Sequence, residues 1–138
     1  MPADAQPILL VDDDEMVRDM IRLVLEHEGY AVVTAKDGAE GLATLRAMDY
    51  AVSLVIADLV MPVMSGREML RTMKEEKPSL HFLVISGYDN FALTESPETE
   101  GLLWLDKPFK PEQLLDAVRV AIKMQRPSSP TTKPKLSY

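Results

Sequence analysis

Leu54-Val55-Ile56-Ala57-Asp58-Leu59-Val60-Met61-Pro62 decides how the rest of this chain is read. Its first four residues are apolar without alternation, the pattern of a strand covered on both faces. The run ends in a carboxylate, and Pro62 then forbids further ladder pairing. An acid at the end of a buried strand is costly unless something compensates its charge. Whatever does so must come from elsewhere in the sequence.

Composition narrows the setting. A chain of 138 residues predicts one domain with room for a real core. An apolar fraction of 46% beside 27% charged residues fits a soluble globular protein rather than a disordered one. The absence of cysteine excludes a disulfide frame and cysteine-held metals. Met1 to Gln6 has neither the basic nor the apolar region of a signal peptide, and no apolar run reaches the length of a membrane span. The expectation is a cytoplasmic protein with no membrane contact. A net charge of −7 argues against direct nucleic-acid binding. The charge is uneven: from Arg126 onward there are three basic residues and no acid, which leaves −10 on the first 125 residues.

Working outward, Pro7 to Val11 is a short apolar run that stops at Asp12-Asp13-Asp14-Glu15, a strand followed by an acidic loop. Met16, Val17, Met20, Ile21, Val24 and Leu25 recur at three-to-four spacing and predict a helix with one buried stripe. Asp14 and Glu15 suit its N-terminus and Gly29 its C-cap. Tyr30 to Thr34 is the second strand. After the Asp37-Gly38 turn, Ala39 to Met48 is a short helix that buries Leu42 and Leu45. Val52 to Ala57 is the third strand, with Asp58 at its end. Gly66 to Lys77 is a helix burying Met69, Leu70 and Met73, and Pro78 stops it. Phe82 to Ile85 is the fourth strand, ending at Ser86-Gly87. Leu102 to Leu105 is the fifth, ending at Asp106-Lys107-Pro108. Pro111 opens a last helix with Leu114, Leu115, Val118 and Ile122 on one side. Residues 1–6 are expected to be flexible, 7–125 to form the domain, and 126–138 to be a disordered basic tail rich in Pro, Ser and Thr.

Alternating strands and helices predict a doubly wound α/β domain: a parallel sheet with helices on both faces. Ligands of such sheets bind outside the carboxyl ends of the strands. Asp12 and Asp13 follow strand one, Asp58 strand three, Ser86 strand four and Lys107 strand five. Four strand ends thus bring carboxylates, a hydroxyl and an ammonium to one sheet edge, a collection that packing does not require.

These pieces resemble a response-regulator receiver domain of two-component signalling. The resemblance rests on Leu10-Val11-Asp12-Asp13-Asp14, on Asp58 with Met61-Pro62 and Ser65-Gly66, on Ile85-Ser86-Gly87, and on Lys107-Pro108-Phe109, across roughly residues 7 to 124. The separations also fit, with 45 residues from Asp13 to Asp58, 28 from there to Ser86 and 21 more to Lys107. Ser86-Gly87-Tyr88 and the weak helix after it are most similar to receivers attached to hybrid sensor kinases. The resemblance implies a flavodoxin-like, five-stranded sheet of order 2-1-3-4-5. That order is a property of the family, and the residues of this chain do not by themselves dictate it.

The resemblance also implies the chemistry. Asp58 would be the phosphoacceptor, taking a phosphoryl group from a histidine kinase or a histidine phosphotransfer protein. Mg²⁺ would be held by Asp13, Asp58 and the backbone carbonyl of Val60, with Asp12 acting indirectly. Lys107 would supply a point charge to the phosphate and Ser86 a hydroxyl hydrogen bond, with Gly87 leaving room beside it. Ser86 and Trp104 would form the switch read by an unidentified downstream protein. Lys107-Pro108 would be a cis peptide. Such a protein is a signalling switch and not an enzyme acting on other molecules; it catalyses only its own phosphorylation and autodephosphorylation.

Other classes fit less well. A flavodoxin-type FMN protein would want a Ser/Thr/Gly-rich phosphate loop after strand one, where this chain has four acids. A Mg²⁺-dependent phosphohydrolase would want an acid at position 60, which is Val60. A degenerate receiver, folded but unphosphorylated and acting as an interaction module, would lack one of the acceptor-site residues, and all are present. His27 and His81 share no motif and read as solvent or structural histidines; Met16, Met20, Met69 and Met73 read as core. The chain departs from the usual receiver at Gly87, where alanine is commoner, and at Trp104, where tyrosine or phenylalanine is commoner. It departs again between Asp89 and Gly101, where Pro97 breaks the expected helix and sparse apolar residues predict an irregular segment on the usual output face. No further domain is expected, so the chain reads as a stand-alone receiver or the receiver piece of a hybrid kinase.

Overall fold

The computed structural model describes residues 6–58, 66–87 and 102–123. In chain order they form β1 (Ile8–Val11), α1 (Glu15–His27), β2 (Val32–Ala35), α2 (Gly38–Ala47), β3 (Leu54–Asp58), α3 (Gly66–Glu76), β4 (Phe82–Gly87), β5 (Leu103–Lys107) and α4 (Pro111–Lys123). The strands make one five-stranded sheet of order β2-β1-β3-β4-β5, every pairing parallel. The doubly wound, flavodoxin-like architecture expected from the sequence is the one observed.

The unalternating strands follow from two apolar layers. Successive residues of a strand point to opposite faces. Leu9, Val11, Val55, Ala57, Val84 and Trp104 pack on one face, against Leu42 and Leu45 of α2 and Met69, Leu70 and Met73 of α3. Ile8, Leu10, Leu54, Ile56, Leu83 and Leu105 pack on the other, against Ile21 and Leu25 of α1 and Leu114 and Val118 of α4. The two faces require helices on both sides: α2 and α3 cover one, α1 and α4 the other.

Local signals set the helix ends. Asp14 caps α1, its carboxylate accepting from the N–H groups of Met16 and Val17. The chain leaves α1 through Gly29 at φ 102°, a conformation that a side chain would oppose. Asp37 caps α2 by accepting from Glu40 N–H, while the Glu40 carboxylate accepts from Lys36 N–H. α2 therefore begins at Gly38, inside the expected turn. At their other ends α2 and α3 are tied by Arg46 and Tyr50, both bonded to the Glu76 carboxylate.

Some expectations shift. The second strand is Val32–Ala35 rather than Tyr30 to Thr34, because Tyr30 N–H closes the end of α1 by bonding Leu25 C=O. The third begins at Leu54, since Ser53 N–H bonds Pro7 C=O before the ladder starts. Met69 and Met73 are core, but Met16 and Met20 are not: they are 82% and 39% exposed, and Leu23 on the same side of α1 is 58% exposed. Helical spacing identifies apolar positions; the sheet covers only the stripe centred on Ile21 and Leu25. The expectations for residues 1–5, for 59–65 including Val60, for the irregular segment 89–101 and for the tail lie outside the described residues.

Candidate phosphoryl-acceptor site

β1 and β3 are neighbours at the centre of the sheet, with Val11 paired to Ala57. Their carboxyl ends therefore place Asp12 and Asp58 side by side. Asp58 is itself the last residue of β3 and pairs with Ile85 of β4. One position further along, Ser86 pairs with Asp106 and Gly87 with Lys107 at the end of β5. The parallel register thus brings the residues that sequence spacing singled out to one edge.

Asp12 is fully buried, Asp58 is nearly so, and Asp13 faces solvent. Lys107 Nζ donates to Asp58 Oδ2 at 2.8 Å and stands 3.7 Å from Asp12 Oδ2. The Lys107–Pro108 peptide is cis, as expected. Asp12 Oδ1 accepts from Asp14 N–H at 2.9 Å, but Asp12 Oδ2 is buried without a hydrogen-bond partner. The carboxylates of Asp12, Asp13 and Asp58 can each bring one oxygen within 4.8 Å of the other two.

The electrostatics follow from this crowding. Burial raises the Asp12 carboxyl above its ordinary pKa; Asp14 N–H and Lys107 oppose the shift, while Asp58 and Asp13 add to it. Desolvation alone would lower Lys107, but its hydrogen bond to Asp58 and the charges of Asp58, Asp12 and Asp13 outweigh it. The ammonium is therefore held above its ordinary pKa. Among the described residues three acids face one ammonium, so negative charge is in excess there. A buried carboxylate oxygen with no hydrogen bond, beside two further carboxylates, is a donor set suited to a hard divalent cation such as Mg²⁺.

One contributor carries no motif. Arg18, the fourth residue of α1, donates from Nη1 to the backbone carbonyl of Asp12 at 2.9 Å. The sequence signal that could have found it is a cation near a helix N-terminus, where the helix dipole disfavours positive charge. Trp104 is nearly buried in the layer under α2 and α3.

Residues 8–119 match the family described as the response regulator receiver domain. The chain belongs to this family. Among curated proteins, this receiver domain is 35% identical over 127 residues to the C4-dicarboxylate transport transcriptional regulatory protein DctD of Pseudomonas aeruginosa, covering 91% of this chain and 27% of DctD. It is 33% identical over 119 residues to the sensor kinase CckA of Brucella abortus, covering 86% of this chain and 13% of CckA. The chain thus spans about a quarter or less of these relatives, which include both transcriptional regulators and a sensor kinase. Among solved structures, a response regulator receiver domain protein of Clostridium thermocellum superposes with a TM-score of 0.77 at 30% identity, covering 85% of this chain and 94% of that one. The chemotaxis protein CheY4 of Vibrio cholerae superposes with a TM-score of 0.72 at 30% identity, covering 85% and 98%. No helix among the described residues is long and apolar enough to cross a membrane.

Proposed function

We propose that this receiver domain is a phosphoryl-accepting switch of a two-component phosphorelay, with Asp58 as the acceptor. The observation that carries the reading is the pocket itself: a nearly buried carboxylate held by Lys107, beside two acids, one with a buried oxygen that no hydrogen bond satisfies. An Asp58 carboxylate oxygen attacks the phosphorus of a donor phosphohistidine. The new O–P bond forms as the P–N bond breaks, and the electron pair returns to the imidazole nitrogen, which takes up a proton. Asp13 and Asp58 would hold Mg²⁺, with Asp12 acting indirectly through its buried charge, and the ion would neutralise charge on the phosphoryl oxygens. Lys107 brings a cation to the same oxygens as its bond to Asp58 loosens. Ser86, at the end of β4, is assigned the remaining oxygen through its hydroxyl.

The donor in this reading is a histidine kinase or a histidine phosphotransfer protein. The exposed Met16, Met20 and Leu23 of α1, close in sequence to Asp13, support a protein donor over a small molecule, because an uncovered apolar face favours a partner surface. The protein works in the cytoplasm, passes its state to a downstream protein and catalyses only its own phosphorylation and autodephosphorylation. Incubation with acetyl phosphate and Mg²⁺, followed by mass spectrometric mapping, is expected to place one phosphate on Asp58. An undiminished phosphate signal in Asp58→Asn would overturn the assignment.

A further inference from the structure

Asp12 is held from several sides. Its N–H bonds Ala35 C=O at 3.2 Å, just past the paired residues of β1 and β2. Its Oδ1 accepts from Asp14 N–H at 2.9 Å, and its carbonyl accepts from Arg18 Nη1 at 2.9 Å. One side of the residue is thus held by the sheet and the other by α1. What these bonds leave over is Oδ2, buried and without a hydrogen bond.

The carbonyl of Asp12 falls between a strand and a helix, where a ladder or helical N–H does not reach it by default. Arg18 fills that gap from half-buried surroundings. A guanidinium suits the task because its planar fork delivers a directed donor with little freedom left to lose. Its charge, by contrast, is unwelcome there on two counts: it opposes the α1 dipole and it repels any cation bound by the acids. A residue kept for its charge would sit on the Lys107 side of the pocket, against a carboxylate. Arg18 instead bonds the backbone of the residue that carries one.

We propose that Arg18 is a positioning residue of the acceptor site. By fixing the Asp12 carbonyl it sets the turn from β1 into α1, and so aims Asp12 Oδ2 and the adjacent Asp13 at the cation. This inference rests on the metal-binding reading above and adds to it a residue that touches neither metal nor phosphate. The two roles open to Arg18 predict opposite signs. If its charge matters most, removing it tightens divalent binding, because a repelling cation is gone. If its hydrogen bond matters most, removing it loosens binding, because the ligands lose their aim.

The test is a calorimetric Mg²⁺ titration, repeated with Mn²⁺ followed by electron paramagnetic resonance, on wild type, Arg18→Ala, Arg18→Lys and Asp13→Asn. Thermal unfolding in EDTA accompanies each variant. Arg18→Ala is expected to bind about tenfold more weakly, in the range for residues that orient metal ligands. Arg18→Lys, which keeps the charge and loses the planar fork, is expected to fall between Arg18→Ala and wild type. Unchanged or tighter binding in Arg18→Ala overturns the inference, as does a loss of thermal stability with no change in affinity. If Arg18→Ala does not fold, Arg18→Lys decides: weakened binding supports the role, and wild-type affinity overturns it. Wild type and Asp13→Asn binding alike would instead show that the metal reading itself fails, and this inference with it.

Discussion

At the scale of single residues, the pocket opposes its own contents. Lys107 neutralises Asp58 at 2.8 Å and reaches Asp12 only at 3.7 Å. In this arrangement the ammonium competes with a divalent ion for the same oxygens. Lys107→Ala is therefore expected to bind Mg²⁺ several-fold more tightly than wild type, since it removes a like charge from the cation's neighbourhood. A calorimetric titration giving weaker binding would show that Lys107 orders the carboxylates instead. Asp12 presents the reverse case. Its folded-state pKa is raised, chiefly by burial, so folding disfavours the ionised form. The penalty is fully present above that raised value and fades as pH falls through it toward the ordinary carboxylate range. Asp12→Asn without metal is expected to gain about 1 kcal/mol at neutral pH, or roughly 4 °C in midpoint. The gain should shrink on acidification and disappear when Mg²⁺ saturates the wild type. Thermal melts at several pH values check this, and a variant less stable than wild type at neutral pH would refute it.

At the scale of elements, close approach decides more than propensity. A Cβ placed on Gly41 of α2 would meet Val11 Cγ2 at 2.9 Å and Met69 Sδ at 3.1 Å. α2 thus lies against the last residue of β1 and against α3 at a distance only glycine permits. In an exposed helix, glycine to alanine would stabilise by about 1 kcal/mol. Here overpacking costs about 1–3 kcal/mol, so Gly41→Ala is expected to be net destabilising. A urea midpoint above that of wild type would contradict this packing. The same distinction explains α1. Its apolar repeat predicted one buried stripe, yet Met16 and Met20 are exposed while Ile21 and Leu25 are covered. Spacing marks the residues that can pack, and only the neighbouring sheet decides which of them do.

At the scale of the molecule, the proposed switch requires the edge around Asp58 to communicate with a surface. β4 and β5 are paired from Leu83 with Leu103 to Gly87 with Lys107, so Ser86 and Trp104 lie on adjacent, registered strands. A ligand that binds one arrangement of these strands better than another shifts the balance between them. Trp104 is the sole tryptophan, so its fluorescence isolates the event. Beryllofluoride with Mg²⁺ is expected to change its intensity or wavelength. Asp58→Asn should abolish the change, and Ser86→Ala should blunt it. A flat spectrum under conditions where phosphorylation proceeds would leave Trp104 a core residue and put the switch elsewhere.

The sequence by itself determined the class of fold and the sheet edge at which Asp12, Asp58 and Lys107 meet. Unalternating apolar strands between amphipathic helices admit few solutions besides a sheet covered on both sides, and a chain that alternates in this way must bring its strand ends to one edge. Asp12, Asp13, Asp58 and Lys107 were legible for that reason, each as the punctuation of a strand. The tertiary structure decided the rest, because it depended on distances between segments remote in sequence. Only the assembled pocket places Lys107 on Asp58 rather than Asp12 and leaves Asp12 Oδ2 buried without a hydrogen bond. Only the packing of α1 leaves Met16 uncovered and turns Arg18 inward to the Asp12 carbonyl. Periodicity says which way a side chain can point along its own helix; what it meets there is set by elements whose positions no local pattern encodes.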